Sequence, residues 1–329
     1  MFVQRHAAVA AILAAAIPTA LFAQEAAPQA APQYVVISFD GAHDNALWER
    51  SRALAAQTGA HFTYFLSCVY LLSPETKSAY QAPHHSRGRS NVGFAETRED
   101  VVGRLQQIWM ARSEGHEIGS HGCGHYDGKD WSKADWLTEF DSFSKIVRDV
   151  YTINGIDGEP AEWKRFAENE IKGFRVPYLS TSKGLDAALA QAGFQYSASG
   201  VSDGPVEADR KPKVPLYSLP MVPEGPKSRR IIAMDYNLYV RHSGGKEKTE
   251  DSAAFSERTY QAFKTAYDAE IAGKKRPLQF GFHFVLMNGG AYWDALERFA
   301  REVCVRPETK CVSYRELEAL TSATRSAGG

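Results

Sequence analysis

The chain has 329 residues, 38 basic and 39 acidic side chains, a net charge of −1 and 44% hydrophobic residues. That length suits one large α/β domain with a substantial core. The near-neutral balance gives no basis for nucleic-acid binding, and beyond the N-terminal stretch no segment is long and apolar enough to span a membrane.

The N-terminus runs Met1-Phe-Val-Gln-Arg5 and continues apolar and Ala-rich to Ala23. A basic start, a short apolar core and a small final residue make residues 1–23 a secretory signal peptide, so the mature protein is expected in the periplasm or outside the cell. Residues 24–33, rich in Ala and Pro, read as a disordered lead-in. The domain proper is then 34–329. Its first segment, 34–39, is a β-branched apolar run that reads as a buried strand ending in Asp40. Residues 45–57 have helical periodicity, and 61–67 is a second strand. Residues 73–97 are polar and irregular, too long for an ordinary connection, and read as an insertion or a rim of the binding cleft. A helix over 98–113 leads to a strand at 117–120. Residues 133–151 form another amphipathic helix, 171–176 a strand and 183–192 a helix. A strand at 230–234 ends in Asp235, and a helix covers 255–272. A strand at 278–283 ends in His283, and helices at 291–302 and 314–321 close the chain. Strands alternate with helices, which predicts an α/β fold with a largely parallel sheet or barrel. Asp40, His121, Arg175, Asp235 and His283 all fall at strand C-termini, the rim where chemistry sits in α/β barrels.

His121 and His125 stand in Gly115-His-Glu-Ile-Gly-Ser-His-Gly-Cys-Gly-His125. Two imidazoles four residues apart can reach one metal ion. Gly119, Gly122 and Gly124 argue against a helix, so a short strand delivers His121 and a glycine loop folds His125 back beside it. This suits an open catalytic metal site, given a third ligand. The four cysteines are Cys68, Cys123, Cys304 and Cys311. An even count in an exported chain points to disulfides. A Cys304–Cys311 bridge can close a short loop, and a Cys68–Cys123 bridge would pin the histidine loop; the alternative makes Cys123 a metal ligand.

The order of these motifs resembles the polysaccharide deacetylase family (NodB-like, carbohydrate esterase family 4). Ser38-Phe39-Asp40-Gly41 resembles its Thr-Phe-Asp-Asp-Gly motif. His121-Gly-Cys-Gly-His125 matches its histidine motif, and Arg175-Val-Pro-Tyr178 its Arg-x-Pro-Tyr motif. Asp235-Tyr236 and His283 stand in the places of the remaining two. The resemblance implies a single-domain distorted (β/α) barrel of about seven strands. It also implies an activity: removal of acetyl groups from an acetylated glycan, chiefly an N-acetylglucosamine polymer, with a divalent metal such as Zn2+, Co2+ or Ni2+. By the same resemblance His121 and His125 hold the metal. Asp40 is the general base, and the backbone N–H of Tyr178 stabilises the oxyanion. His283 protonates the leaving group, Arg175 orients Asp40, and Asp235 orients His283 or pairs with Arg175.

The chain departs from the family in three places. Gly41 stands where the family has a second aspartate, a metal ligand. Asp44 is then the candidate third ligand, since a His/His site without a carboxylate is unusual for catalysis. Its plainer role is an N-cap for the helix at Asn45, and His43 is a weaker ligand alternative. Gly281 replaces a Leu that lines the family's acetyl pocket, and Tyr236 replaces a Trp; both bear on substrate fit. Two other functions share the fold: a catalytically inactive carbohydrate-binding protein, and a hydrolase of a small amide or imide.

Overall fold

The computed structural model describes residues 1–2 and 31–327; most of the expected signal peptide and of the lead-in lies outside the described residues. The sheet order is β7-β6-β5-β4-β3-β2-β1-β8, with β9 also pairing β1. These strands are β1 (Gln33–Asp40), β2 (Thr63–Leu66), β3 (Glu117–Ser120), β4 (Gly173–Phe174), β5 (Tyr196–Ser202), β6 (Leu216–Glu224), β7 (Arg229–Ile232), β8 (Leu278–His283) and β9 (Thr309–Cys311). Eight of them, β1 to β6, β8 and β9, pair in parallel, while β7 returns antiparallel to β6. The sheet curls until Ala233 spans its two ends: its N–H bonds Pro220 O and its C=O receives the Gly281 N–H. The result is the expected distorted (β/α) barrel.

Each strand sits where burial on both faces demands it. In β1, residues 35–40 are all buried or nearly so, as a central parallel strand requires. One face packs outward: Phe39 touches the rings of Phe62, Tyr64, Phe282, Phe284 and Trp293. The other face looks into the curl, where Val36, Phe65, Tyr196, Ala198, Tyr217 and Tyr314 form a second core. Tyr314 opens the last helix, α9 (Tyr314–Ala327), and its hydroxyl bonds Gln279 inside the barrel at 3.0 Å.

The helices start at the sequence signals expected of them. Asp44 caps α1 (Asn45–Thr58). Capping boxes open α2 (Arg98–Ser113) at Thr97 and Asp100, and α3 (Lys133–Ile153) at Ser132 and Asp135. Trp131, Trp136 and Trp163 are buried packing residues.

Several elements were not legible in the sequence. The strand expected over 171–176 is only two residues long, because Arg175 already turns inward to the site. β5 and β6 carry no apolar signature: β5 is Tyr-Ser-Ala-Ser-Gly-Val-Ser, and β6 contains Pro220 and Pro223, which normally argue against an inner strand. Here the Pro220 carbonyl still accepts the Ala233 N–H at 2.9 Å, and Pro223 stands opposite Arg230 of β7. Helices α4 (Trp163–Asn169), α5 (Leu185–Ala192), α6 (Asp235–Ser243), α7 (Ser252–Ile271) and α8 (Ala291–Val303) complete the outer layer.

Candidate active site

Parallel pairing brings the C-terminal ends of the strands to one rim. Asp40 ends β1 and His283 ends β8, and the two are direct cross-strand partners. His121 follows β3 and Arg175 follows β4, next to each other in the sheet. Asp235 reaches the same place from the first turn of α6. The five polar residues expected at the rim therefore gather around one point.

Asp40 is buried and receives the Arg175 Nη1–H on Oδ1 at 2.8 Å. Burial alone would raise its carboxyl. The charges of Arg175, His121 and His283, with the hydrogen bond from Arg175, outweigh it and hold Asp40 below the usual carboxylate range. Arg175 is wholly buried, and every arm of its fork is occupied. Nε donates to Ala198 O at 3.0 Å, Nη1 also to Ser38 Oγ at 2.9 Å, and Nη2 to Tyr314 OH at 2.9 Å. Its plane lies over the Phe65 ring, 4.6 Å from the centroid. An Arg fixed this way is a rigid positive charge on the barrel axis.

His283 is bound at both ends by Asp235. Its Nδ1 donates to Oδ1 at 2.6 Å and its backbone N–H to Oδ2 at 2.7 Å. Burial lowers its pKa, but Asp235, through charge and hydrogen bond, and Asp40 raise it above the ordinary histidine value. With Nδ1 committed to Asp235, Nε2 is the nitrogen left for chemistry. Asp235 thus partners His283 and not Arg175.

His121 Nδ1 bonds the Arg175 carbonyl at 2.8 Å, which fixes that nitrogen as the N–H and leaves Nε2 with a free lone pair. The His125 ring lies 5.0 Å from it, and its Nδ1 is buried without a hydrogen-bond partner. Burial, followed by the charges of His121 and His283, pushes His125 down to about 3; burial also lowers His121. Both imidazoles are therefore neutral at physiological pH, the state a metal ligand needs.

Asp44 does not join them. It is exposed, its Oδ1 accepts from Leu47 N at 2.8 Å, and its charge acts on His43 and Arg104. The helix claims the carboxylate as a cap. His43 is likewise turned away, with Nδ1 on Gly41 O at 2.8 Å and its ring stacked on Tyr70. Among the described residues no group of three or more His, Cys, Asp and Glu side chains is arranged to hold a metal ion. The donor set therefore fits a divalent ion held by two imidazole nitrogens, not a complete three-ligand site.

Tyr178 and Leu179 follow Arg175 with φ of 60° and 54°, two consecutive left-handed non-glycine residues. Strain of this kind collects at functional turns. The Tyr178 side chain is 59% exposed and its ring stands 4.7 Å from that of His125; Tyr236, 53% exposed, lies 6.1 Å from His283. Beneath His283, a Cβ at Gly281 would come within 2.7 Å of Met234 Cε and 3.6 Å of Leu219. Met234 and Leu219 fill the space that a larger residue would take, while Phe280 and Phe282 pack outward on Phe263.

The Cys68–Cys123 and Cys304–Cys311 disulfides are both formed, so Cys123 is not a thiolate ligand. The first joins residues 55 apart. In the chain-entropy account a loop of that size is stabilised by about 4 kcal/mol. Replacing Cys68 and Cys123 together by Ala should lower unfolding stability by up to that amount, read by urea titration against the wild type. An unchanged midpoint would show that the bridge is not carrying the loop.

Three residues that bind the histidine loop, Glu139, Tyr80 and Asn91, were missed in the sequence. Glu139 had one signal. It lies on the apolar face of α3 with Trp136, Phe140 and Phe143, where a carboxylate is out of place.

No family model matches the sequence, and no curated protein matches it. Solved structures do. A Mycobacterium smegmatis protein assigned to the polysaccharide deacetylases aligns over 91% of this chain and 93% of its own, with a TM-score of 0.54 at 15% identity. A Pseudomonas aeruginosa protein with the same assignment aligns over 87% and 89%, with a TM-score of 0.53 at 14% identity. The PuuE allantoinase aligns over 94% and 99%, with a TM-score of 0.52 at 15% identity. At such identities the likeness establishes the fold: this is a NodB-like barrel, the fold of the family 4 carbohydrate esterases.

Proposed function

We propose that the protein is an exported hydrolase that removes acetyl groups from an acetylated glycan. One observation carries this reading: a carboxylate held ionised (Asp40) and an imidazole held charged (His283) are neighbours on adjacent strands, each fixed by its own buried partner. Opposed pKa shifts on neighbouring groups are the mark of an acid–base pair. Asp40 takes the proton of an attacking water. His283 gives its Nε2 proton to the leaving nitrogen or oxygen. Arg175 keeps Asp40 ionised and aimed, and Asp235 keeps the His283 proton on the correct nitrogen. The Tyr178 N–H, in its strained turn, is the donor for the oxyanion. His121 and His125 would hold the divalent metal, which when bound supplies Lewis acidity and lowers the pKa of water. The exposed rings of Tyr178, beside His125, and Tyr236, beside His283, offer stacking faces, which suits sugar rings better than a small enclosed ligand. The two disulfides and the N-terminal signal-like sequence support a periplasmic or secreted location.

Acetate release from N-acetylglucosamine oligomers and O-acetylated xylan, set against ring opening of a small cyclic amide, tests the reading. Release from a glycan supports it; turnover of the cyclic amide alone would replace it. The pH profile of kcat/KM should be a wide bell. Its acidic limb, the protonation of Asp40, lies below the ordinary carboxylate range, and activity is lost as pH falls through it. Its alkaline limb, the deprotonation of His283, lies above the ordinary histidine range of about 6.5, and activity is lost as pH rises through it. An alkaline limb below that range would remove His283 as the acid.

A further inference from the structure

The loop that turns His125 back beside His121 is not held by its own sequence. Gly122 has φ of +70°, and His125 itself sits at φ of +54°, a left-handed conformation uncommon for residues other than glycine. A Cβ at Gly124 would lie 2.5 Å from the Tyr80 hydroxyl, so other chain segments press closely on this loop.

Those segments converge on one carboxylate. Glu139 is 2% exposed. Its Oε1 accepts the Cys123 N–H at 2.7 Å and the Gly124 N–H at 3.2 Å, and its Oε2 accepts the Tyr80 hydroxyl at 2.8 Å. Tyr80 comes from the irregular segment 73–97. So does Asn91, whose N–H bonds Gly124 O at 2.8 Å and whose Nδ2 bonds His125 O at 3.2 Å. Cys68 adds its N–H to Gly122 O at 3.2 Å, besides the disulfide. The loop therefore has backbone partners on both sides, all of them from outside it. The segment 73–97 is thus more than a rim: it clamps the histidine loop against α3.

We propose that Glu139 is the positioning residue of the histidine pair, with Tyr80 as its partner, and that through the Cys123 and Gly124 amides it sets where His125 stands relative to His121. A carboxylate gathers two amides and a hydroxyl that no apolar side chain of the same size can satisfy. Burying it among aromatic neighbours on α3 is costly unless those donors are present. The proposal rests on the reading that the pair acts in hydrolysis and binds a metal.

The test compares Glu139→Leu, Glu139→Gln, Tyr80→Phe and His125→Ala in the full exported protein. It uses Co2+ absorption titration, kcat and KM for acetate release from an N-acetylglucosamine oligomer, and urea unfolding. Glu139→Leu should weaken Co2+ binding and lower kcat about 10- to 100-fold, the range for supports of metal ligands, with KM little changed. Glu139→Gln should recover most of this, because its amide oxygen still accepts from Cys123 and its NH2 can donate to Tyr80. Tyr80→Phe, which removes one hydroxyl, should lie between wild type and Glu139→Leu. A Glu139→Leu protein with wild-type Co2+ affinity and kcat, while His125→Ala loses both, overturns the proposal. Should Glu139→Leu not fold, wild-type values for Tyr80→Phe overturn it equally. If His125→Ala itself binds Co2+ and turns over normally, the functional reading falls and not merely the clamp.

Discussion

Asp40→Asn should cost about 10²- to 10⁴-fold in kcat, the range for loss of a general base. The side chain keeps its shape and one oxygen for Arg175 Nη1, so geometry is nearly conserved and the charge is what goes. Arg175 is then left fully buried with only neutral acceptors: Ser38 Oγ, Ala198 O and Tyr314 OH. Removing one member of a buried ion pair typically costs about 3–5 kcal/mol; the retained hydrogen bond should keep Asp40→Asn below that, and Asp40→Ala near it. The two variants thus separate the functions of one residue. Both should be inactive, but only Asp40→Ala should be strongly destabilised in urea unfolding. Wild-type acetate release from Asp40→Asn would remove Asp40 as the base and leave it a structural partner of Arg175.

The barrel class and most of the rim were legible because each rested on a local pattern. The run at 34–39 announced β1, and polar residues at strand ends announced the site. Glycines at 122 and 124 announced a loop and not a helix, and the cysteine count anticipated the bridge at Cys68–Cys123. What stayed hidden depended on partners distant in sequence. Asp44 read as the third metal ligand in preference to its plainer role as a helix cap. Only the structure shows its oxygen on Leu47 N, a bond worth roughly 1 kcal/mol to the helix. β6 was hidden by two prolines whose missing N–H groups its neighbours do not need. Asp235 was read as the end of a strand and is the first residue of α6, yet it reaches the expected partner, because the break between strand and helix is what turns it toward His283. Arg175 draws its ligands from β1, β5 and α9, and no spacing in the sequence encodes that convergence.

Asp235→Asn carries the second large effect, and its sign follows from hydrogen-bond bookkeeping. In the wild type both oxygens accept: Oδ2 from the His283 backbone N–H, and Oδ1 from His283 Nδ1 and the Tyr236 N–H. Asparagine has one acceptor and one donor. If its oxygen stays on the backbone N–H, its NH2 faces Nδ1 and forces that nitrogen to accept. The imidazolium, which needs a proton on both nitrogens, is then disfavoured, and the largest influence raising the His283 pKa is gone while burial still lowers it. The alkaline limb of the pH profile should move to lower pH, and kcat at neutral pH should fall about 10²- to 10⁴-fold. If the amide flips instead, its oxygen stays on Nδ1 but its NH2 opposes the His283 backbone N–H, which loses its acceptor, and the charge that raised the His283 pKa is gone all the same. Substrates whose leaving group needs no proton separate acid catalysis from simple disruption. An activated aryl acetate should be hydrolysed by Asp235→Asn at close to the wild-type rate, while an N-acetylated sugar is not. Equal losses on both would mean that Asp235 holds the site together and that His283 is not the proton donor.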